Sequence, residues 1–379
     1  MDLGLSEPQQ MLKASVRDFL ERETPLAHAR LMQSDPIGYL PKVWRDIADL
    51  GWTGIAFPEE FGGEDAGFLD LCLIVEEMGR ALFQGPFFST VVLAGLTILE
   101  GGSVRQKEKF LPAIVKGEHL ATLAFSEANG RWDASAIENT IGDRVGSGFK
   151  LTGKKIFVQN AHIANTLVVV SRTKRVKVPE QGITVFLLPL DTAGVSQRSL
   201  LSLASDRQGS VEFKDALLSH EDVLGTIGGG WPLVEQALRR AAVAKCFEML
   251  GSIERVLEIT VEYVKNRVQF GRPVGSFQAV QHHCANMAVD VESARYISYQ
   301  AAWKLGTGEP GVREVASAKA WVSNVAQRVC ALAHQCHGAI GFTSEYDLQM
   351  FTRAVKAGEF LYGDPDFHRE ALASSMGVR

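Results

Sequence analysis

The sequence predicts an α+β protein: an N-terminal helical domain over residues 1–118, a middle antiparallel β domain over 119–225 and a C-terminal four-helix bundle over 226–379. Three observations carry this prediction. Apolar residues in the first third recur at helical spacing. The middle breaks into short β-branched runs, and the last third returns to narrow apolar stripes on long helices.

The first helix is expected near Pro8, because Leu12, Val16 and Phe19 recur at steps of four and three after Ser6-Glu7-Pro8, and proline suits a first turn. The glycine-rich acidic stretch 58–67 reads as a loop ahead of a helix over 70–78. Five runs, 120–125, 155–158, 166–171, 183–189 and 210–213, are each bounded by Gly, Pro, Asn or Asp and read as strands. No long helical pattern interrupts them, which favours an antiparallel barrel or sandwich over a parallel sheet. The basic cluster 174–177 reads as a solvated hairpin tip. After the turn at 225–232, Val280, Cys284, Met287, Val291 and Ala294 form one stripe. Val315, Ala318, Val322, Val325, Val329 and Leu332 form another, as neighbours in an antiparallel bundle require.

The 379 residues, 46% hydrophobic and 22% charged, suffice for two or three domains with a large core. A net charge of −5 leaves no cationic excess for a nucleic-acid backbone or an anionic membrane, so neither is expected as a partner. Cys72, Cys246, Cys284, Cys330 and Cys336 show no CxxC spacing, and no metal site is expected. Scattered thiols fit a reducing compartment. With no basic start followed by an apolar run, and no run of about 18 apolar residues, the expectation is a cytoplasmic chain without a membrane span.

The segment NRVQFGRPVGSFQAVQ (266–281) places an arginine and a phenylalanine before a Gly-Arg-Pro break that leads into a helix. The planar guanidinium of Arg267 suits a diphosphate, and Phe270 suits an adenine or flavin edge. The alternative is a helix-ending turn with a solvated arginine and a core phenylalanine.

With this segment in view, the whole chain resembles the acyl-CoA dehydrogenase family, whose bundle carries R-x-x-F-G-x-x-x-x-x-F-Q; Arg267, Phe270, Gly271, Phe277 and Gln278 match. QCHGAIGFTSEY (335–346) is similar to a second family segment, with Gln335, Gly338 and Gly341 matching and Ala339 replacing a glycine. LTGKKIFVQNAHIAN (151–165) resembles the strand that sets an aromatic residue and a polar one against the flavin, here Phe157 and Gln159. LAFSEANGRWD (123–133) resembles a fourth segment, which brings in Phe125 and Ser126, aligns Glu127, and puts Ala128 for proline and Trp132 for serine.

The resemblance implies FAD as cofactor, an acyl-CoA substrate oxidised to the 2,3-enoyl product, and an electron-transferring flavoprotein as electron acceptor. It also implies a homo-oligomer, a dimer or a homotetramer, or a mixed assembly with a paralogous subunit, and a place in lipid metabolism. The family reaction needs a carboxylate base. Tyr362 occupies the usual position of that glutamate, and Ala241 the alternative one. Glu248 lies too far along its helix, and Glu359 reads as a solvated helix charge. Asp364 remains as the base, or else as the cap of a helix beginning near Pro365. The second functional reading is a catalytically silent subunit that completes a flavin site for a base-bearing paralogue.

Overall fold

A computed structural model describes residues 4–378. The helices are α1 (Glu7–Glu23), α2 (Leu26–Met32), α3 (Pro41–Asp49), α4 (Phe68–Arg80), α5 (Leu96–Gly101), α6 (Val104–Val115), α7 (Trp231–Asn266), α8 (Gln278–Gly306), α9 (Val312–His337), α10 (Leu348–Phe360) and α11 (Pro365–Ser375). Ser6 starts α1 through a reciprocal box: its hydroxyl accepts from Gln9 N, and the Gln9 amide oxygen accepts from Ser6 N.

The chain packs as two units, one of residues 1–31, 68–83 and 242–379, the other of 32–67 and 84–241. In the first, α9 packs against α8, α10 and α11, and α4 packs against α1 and α8. The backbones of α4 and α7 touch. A Cβ on Gly79 would collide with the Glu248 carbonyl, and one on Gly251 with the Glu76 carbonyl. The buried Glu76 accepts from Lys13, Arg295 and Tyr299, Glu77 pairs with Arg17 and Glu254 with Arg295, so the carboxylate trio Glu76, Glu77 and Glu254 belongs to an ion-pair network.

The second unit holds an eight-stranded sheet: β1 (Ala121–Ala124), β2 (Ile141–Val145), β3 (Gly148–Gln159), β4 (Thr166–Arg172), β5 (Ile183–Pro189), β6 (Val195–Leu200), β7 (Gln208–Leu218) and β8 (Val223–Leu224). The order is β6-β7-β3-β2-β4-β5-β8, with β1 added against β4. The sequence reading expects a purely antiparallel sheet. The structure is mixed, because β1 and β2 both pair with β4 in parallel. Leu151, Val158, Leu167, Val169, Phe186, Val211 and Phe213 fill its core. Among the described residues no helix is long and apolar enough to cross a membrane.

Candidate active site

Between Lys155 and Val158, β3 carries one residue more than its partner β7: pairing steps from Lys155–Val211 to Val158–Gly209. Phe157 sits in this bulge at φ 55°, with its ring 52% exposed. A left-handed aromatic residue costs roughly 1–2 kcal/mol and persists only where its surroundings over-determine it. They do so here. Ile156 N donates to the Ser126 carbonyl at 2.9 Å, and Lys155 Nζ donates to the Phe125 carbonyl and to Glu127 Oε1, each at 2.9 Å. The structure thus brings Phe125, Ser126 and Phe157 together, with Phe125 stacked on Trp132 at 5.6 Å. The Gln159 amide, at the end of the same strand, has no hydrogen-bond partner among the described residues.

Glu127 organises the loop beyond. Its carboxylate accepts from the backbone N–H of Glu138, Asn139 and Thr140 at 3.1, 2.7 and 3.1 Å. Burial pushes its pKa up, but Lys155 and these donors outweigh burial and hold it below the usual carboxylate range. Burial takes the Lys155 amine down to about 8 in spite of Glu127.

In the bundle unit, α7 ends in a hairpin of β9 (Val268–Gln269) and β10 (Arg272–Pro273), whose two-residue loop is Phe270-Gly271. Both loop residues are left-handed, at φ 52° and 76°, as a type I′ turn requires. Asn-Gly is the usual choice there. Phenylalanine instead leaves a ring 91% exposed, edge-on to Phe277 at 6.0 Å, while Arg272 lies 4.1 Å over the Phe277 ring. Arg267 and Gln278 are exposed, and neither side chain has an ion pair or hydrogen bond among the described residues.

The third segment follows α9. Gly338 adopts φ 67°, ψ −146°, open to glycine alone, although a Cβ there would meet nothing within 4 Å. Gly341 is buried, and a Cβ there would press on His334 Nδ1. Gln335 is exposed and without a side-chain partner among the described residues. Tyr263 stacks on His337 at 4.3 Å and ties the end of α7 to this segment. Sequence reasoning missed the imidazoles: His334 Nδ1 and His337 Nε2 are buried without hydrogen-bond partners among the described residues, and the histidine directly before Gly338 was the available signal.

The turn between α10 and α11 holds the positions expected to be catalytic. Tyr362 is buried at φ 60°. Its carbonyl can only accept, so His368 Nε2 donates to it at 2.9 Å, and burial lowers the pKa of that ring to about 4 and keeps it neutral. Asp364 is the N-cap of α11: Oδ1 accepts from Phe367 N at 2.8 Å. The cap reading is therefore realised on one oxygen, while Oδ2 has no partner among the described residues. Ala241 is fully buried. Glu248 pairs with Lys245, and Glu359 with Lys356. Lys319 on α9, also missed by the sequence reading, is fully buried against this turn.

Each unit taken by itself offers groups suited to part of a flavin dinucleotide. In the bundle unit these are the exposed Phe270 ring, Gly338 with clear space before it, and the Arg267 guanidinium and the Gln278 and Gln335 amides, which have no partner among the described residues; in the β unit they are the exposed Phe157 ring and the Gln159 amide.

The acyl-CoA dehydrogenase N-terminal, middle and C-terminal domains match residues 6–118, 122–216 and 228–377. The acryloyl-CoA reductase (NADH) of Anaerotignum propionicum is 30% identical over 100% of this chain and 97% of its own length. The short-chain-specific acyl-CoA dehydrogenase of Megasphaera elsdenii is 32% identical over 96% of each chain. The structure of butyryl-CoA dehydrogenase from Megasphaera elsdenii has a TM-score of 0.91 at 30% identity, covering 99% of this chain and 100% of that one. This chain belongs to the acyl-CoA dehydrogenase family. Its class is that of the flavoprotein oxidoreductases.

Proposed function

We propose that this protein is an FAD-dependent acyl-CoA dehydrogenase that converts an acyl-CoA thioester to the 2,3-enoyl-CoA and passes the electrons to an electron-transferring flavoprotein. One observation carries the reading. Among the described residues, the aromatic side chains on left-handed backbone are Phe157, Phe270 and Tyr362, and each is a position that the family pattern marks for cofactor or catalysis. Strain of this kind concentrates at functional sites.

When bound, FAD supplies the hydride acceptor. Arg267 pairs with its diphosphate, Phe270 and Phe277 cover an aromatic edge, and Gln278 and Gln335 donate or accept at polar atoms. Gly338 and Gly341 let backbone approach closely. Phe125, Ser126, Phe157 and Gln159 serve the flavin ring from the β unit. Asp364 Oδ2 is the base that removes the proton beside the thioester carbonyl, and Tyr362 lines the position where relatives carry glutamate.

The reading includes a homo-oligomer, dimer or tetramer, for which the exposed Phe270 ring and the Gln335 side chain, without a partner among the described residues, offer contact surface. Cytoplasmic residence accords with five unpaired thiols. Tyr362 and the buried Ala241 also favour a second reading, a silent subunit in a mixed assembly. The test is purification of the chain alone, with flavin absorbance and turnover of an acyl-CoA panel. Yellow protein with turnover is expected. FAD without turnover transfers the case to the subunit role, and colourless protein that takes up no added FAD overturns both.

A further inference from the structure

Lys319 is fully buried on α9, and its Nζ donates to the Glu359 carbonyl at 2.8 Å, the Gly363 carbonyl at 2.9 Å and Ser323 Oγ at 3.3 Å. An ammonium has three N–H donors, so the three acceptors use it completely. All three are neutral. A cation buried against neutral groups costs desolvation, and an apolar side chain in its place would spare that cost but leave the three acceptors without a donor. The carbonyls it binds bracket Tyr362: one lies at the C-terminal end of α10, where the helix dipole favours a cation, and the other directly follows Tyr362.

We infer that Lys319 is a positioning residue for the reaction: it pins the turn of residues 359–363 so that Tyr362 and Asp364 are presented to substrate in one geometry. The inference rests on the dehydrogenase reading above. The groups facing the amine are Lys245 and Cys246 on α7, Glu359 on α10, Asp364 at the N-cap of α11 and His368 on α11. Burial brings the Lys319 pKa down to about 8, so the amine is charged at neutral pH and gives up one of its three donors above that value. Because 8 lies below the ordinary 10.5, the unfolded chain binds the extra proton between those values, and this group's contribution to global stability rises with pH there. The hold on the turn weakens over the same range. A lysine that only stabilised the fold would leave kcat without a decline in this range.

The test is Lys319→Met in the FAD-loaded protein. It is followed by thermal melting, by kcat and KM for butyryl-CoA across about two pH units either side of 8, and by amide hydrogen exchange of residues 359–364. Lys319→Met is expected to keep FAD, to melt somewhat lower than wild type because the Glu359 and Gly363 carbonyls lose their donor, to lose roughly 10- to 100-fold in kcat with a smaller change in KM, and to lose the wild-type decline near pH 8. Wild-type kcat and pH profile in Lys319→Met would overturn the inference, as would a lower melting temperature with unchanged activity per flavin. Should that variant not fold, Ser323→Ala removes one acceptor and is expected to move the decline to lower pH; an unmoved decline counts against the inference. If the wild type turns over no acyl-CoA at any pH, the dehydrogenase reading fails. Exchange then decides for Lys319: protection that falls above about pH 8 in the wild type but is uniformly low in Lys319→Met supports it, and protection unaffected by the substitution overturns it.

Discussion

Lys155 Nζ lies 2.9 Å from Glu127 Oε1 with both side chains buried, and this pair joins the bulge beneath Phe157 to the loop that carries Phe125 and Ser126. Two of the segments matched to cofactor binding therefore share one electrostatic anchor. The second Glu127 oxygen, Oε2, gathers the N–H groups of Glu138 and Asn139, so the anchor also orders the chain leading into β2.

Removing one half of a buried pair leaves the other uncompensated. Glu127→Gln is expected to cost about 3–5 kcal/mol in denaturant unfolding. Glu127 has a folded pKa below its ordinary 4.5, so its contribution is complete above pH 4.5 and is lost as pH falls through the folded value. Wild type should lose stability through that acid window and Glu127→Gln should lose less. Equal acid limbs for the two proteins would show that Glu127 is not the group responsible.

The contact of α4 with α7 depends on glycine in each helix. Gly251→Ala drives a methyl group into the Glu76 carbonyl, a backbone atom that cannot move without disturbing the Lys13, Arg295 and Tyr299 contacts of Glu76. A loss of about 3 kcal/mol or more is expected, at the upper end of overpacking costs. A melting temperature within a degree or two of wild type would mean that the helices separate at little cost.

The elements were legible where one face or both faces are apolar. The start of α1 was read within one residue from Ser6-Glu7-Pro8, and the runs 166–171 and 183–189 coincide with β4 and β5, which are almost wholly buried. Strand β6 was missed because its Ser-Gln-Arg-Ser centre is exposed, and β2 because Asp143 and Arg144 break its apolar pattern. The parallel partnership of β1 with β4 is a long-range choice that local pattern does not encode. At the site, motif spacing located Arg267, Phe270, Phe157 and Tyr362 but not the backbone strain. Phe-Gly carries no turn signal comparable to Asn-Gly. Lys319 was invisible because a lysine beside an apolar helical stripe reads as solvated unless its tertiary partners are known.

The turn at Phe270 separates stability from cofactor binding. Phe270→Asn places a residue suited to φ 52° at the first loop position, and it is expected to raise the stability of the apoprotein by about 1 kcal/mol. The same change removes the exposed ring. Affinity for FAD, measured by flavin fluorescence, should fall roughly tenfold or more, in line with about 1.5 kcal/mol for an aromatic contact. Higher stability with unchanged FAD affinity would remove Phe270 from the cofactor site.

Asp364 poses the same question more sharply, because one carboxylate oxygen caps α11 and the other is offered as the base. Asparagine caps a helix about as well as aspartate but cannot accept a proton at neutral pH, whereas alanine does neither. Asp364→Asn is therefore expected to keep FAD and the wild-type melting temperature while turnover falls by roughly two to four orders of magnitude. Asp364→Ala should show the same kinetic loss and in addition lose about 1 kcal/mol of stability. If Asp364→Asn turns over like wild type and only Asp364→Ala melts early, the residue is a cap and nothing more. In that event Tyr362→Glu becomes the decisive variant, since it restores a carboxylate on the turn that His368 and Lys319 hold. Turnover that appears in Tyr362→Glu from an inactive wild type would identify a site that has lost its base and would favour the subunit role. Turnover that is already present, survives Asp364→Asn and does not respond to Tyr362→Glu would place the base at neither position.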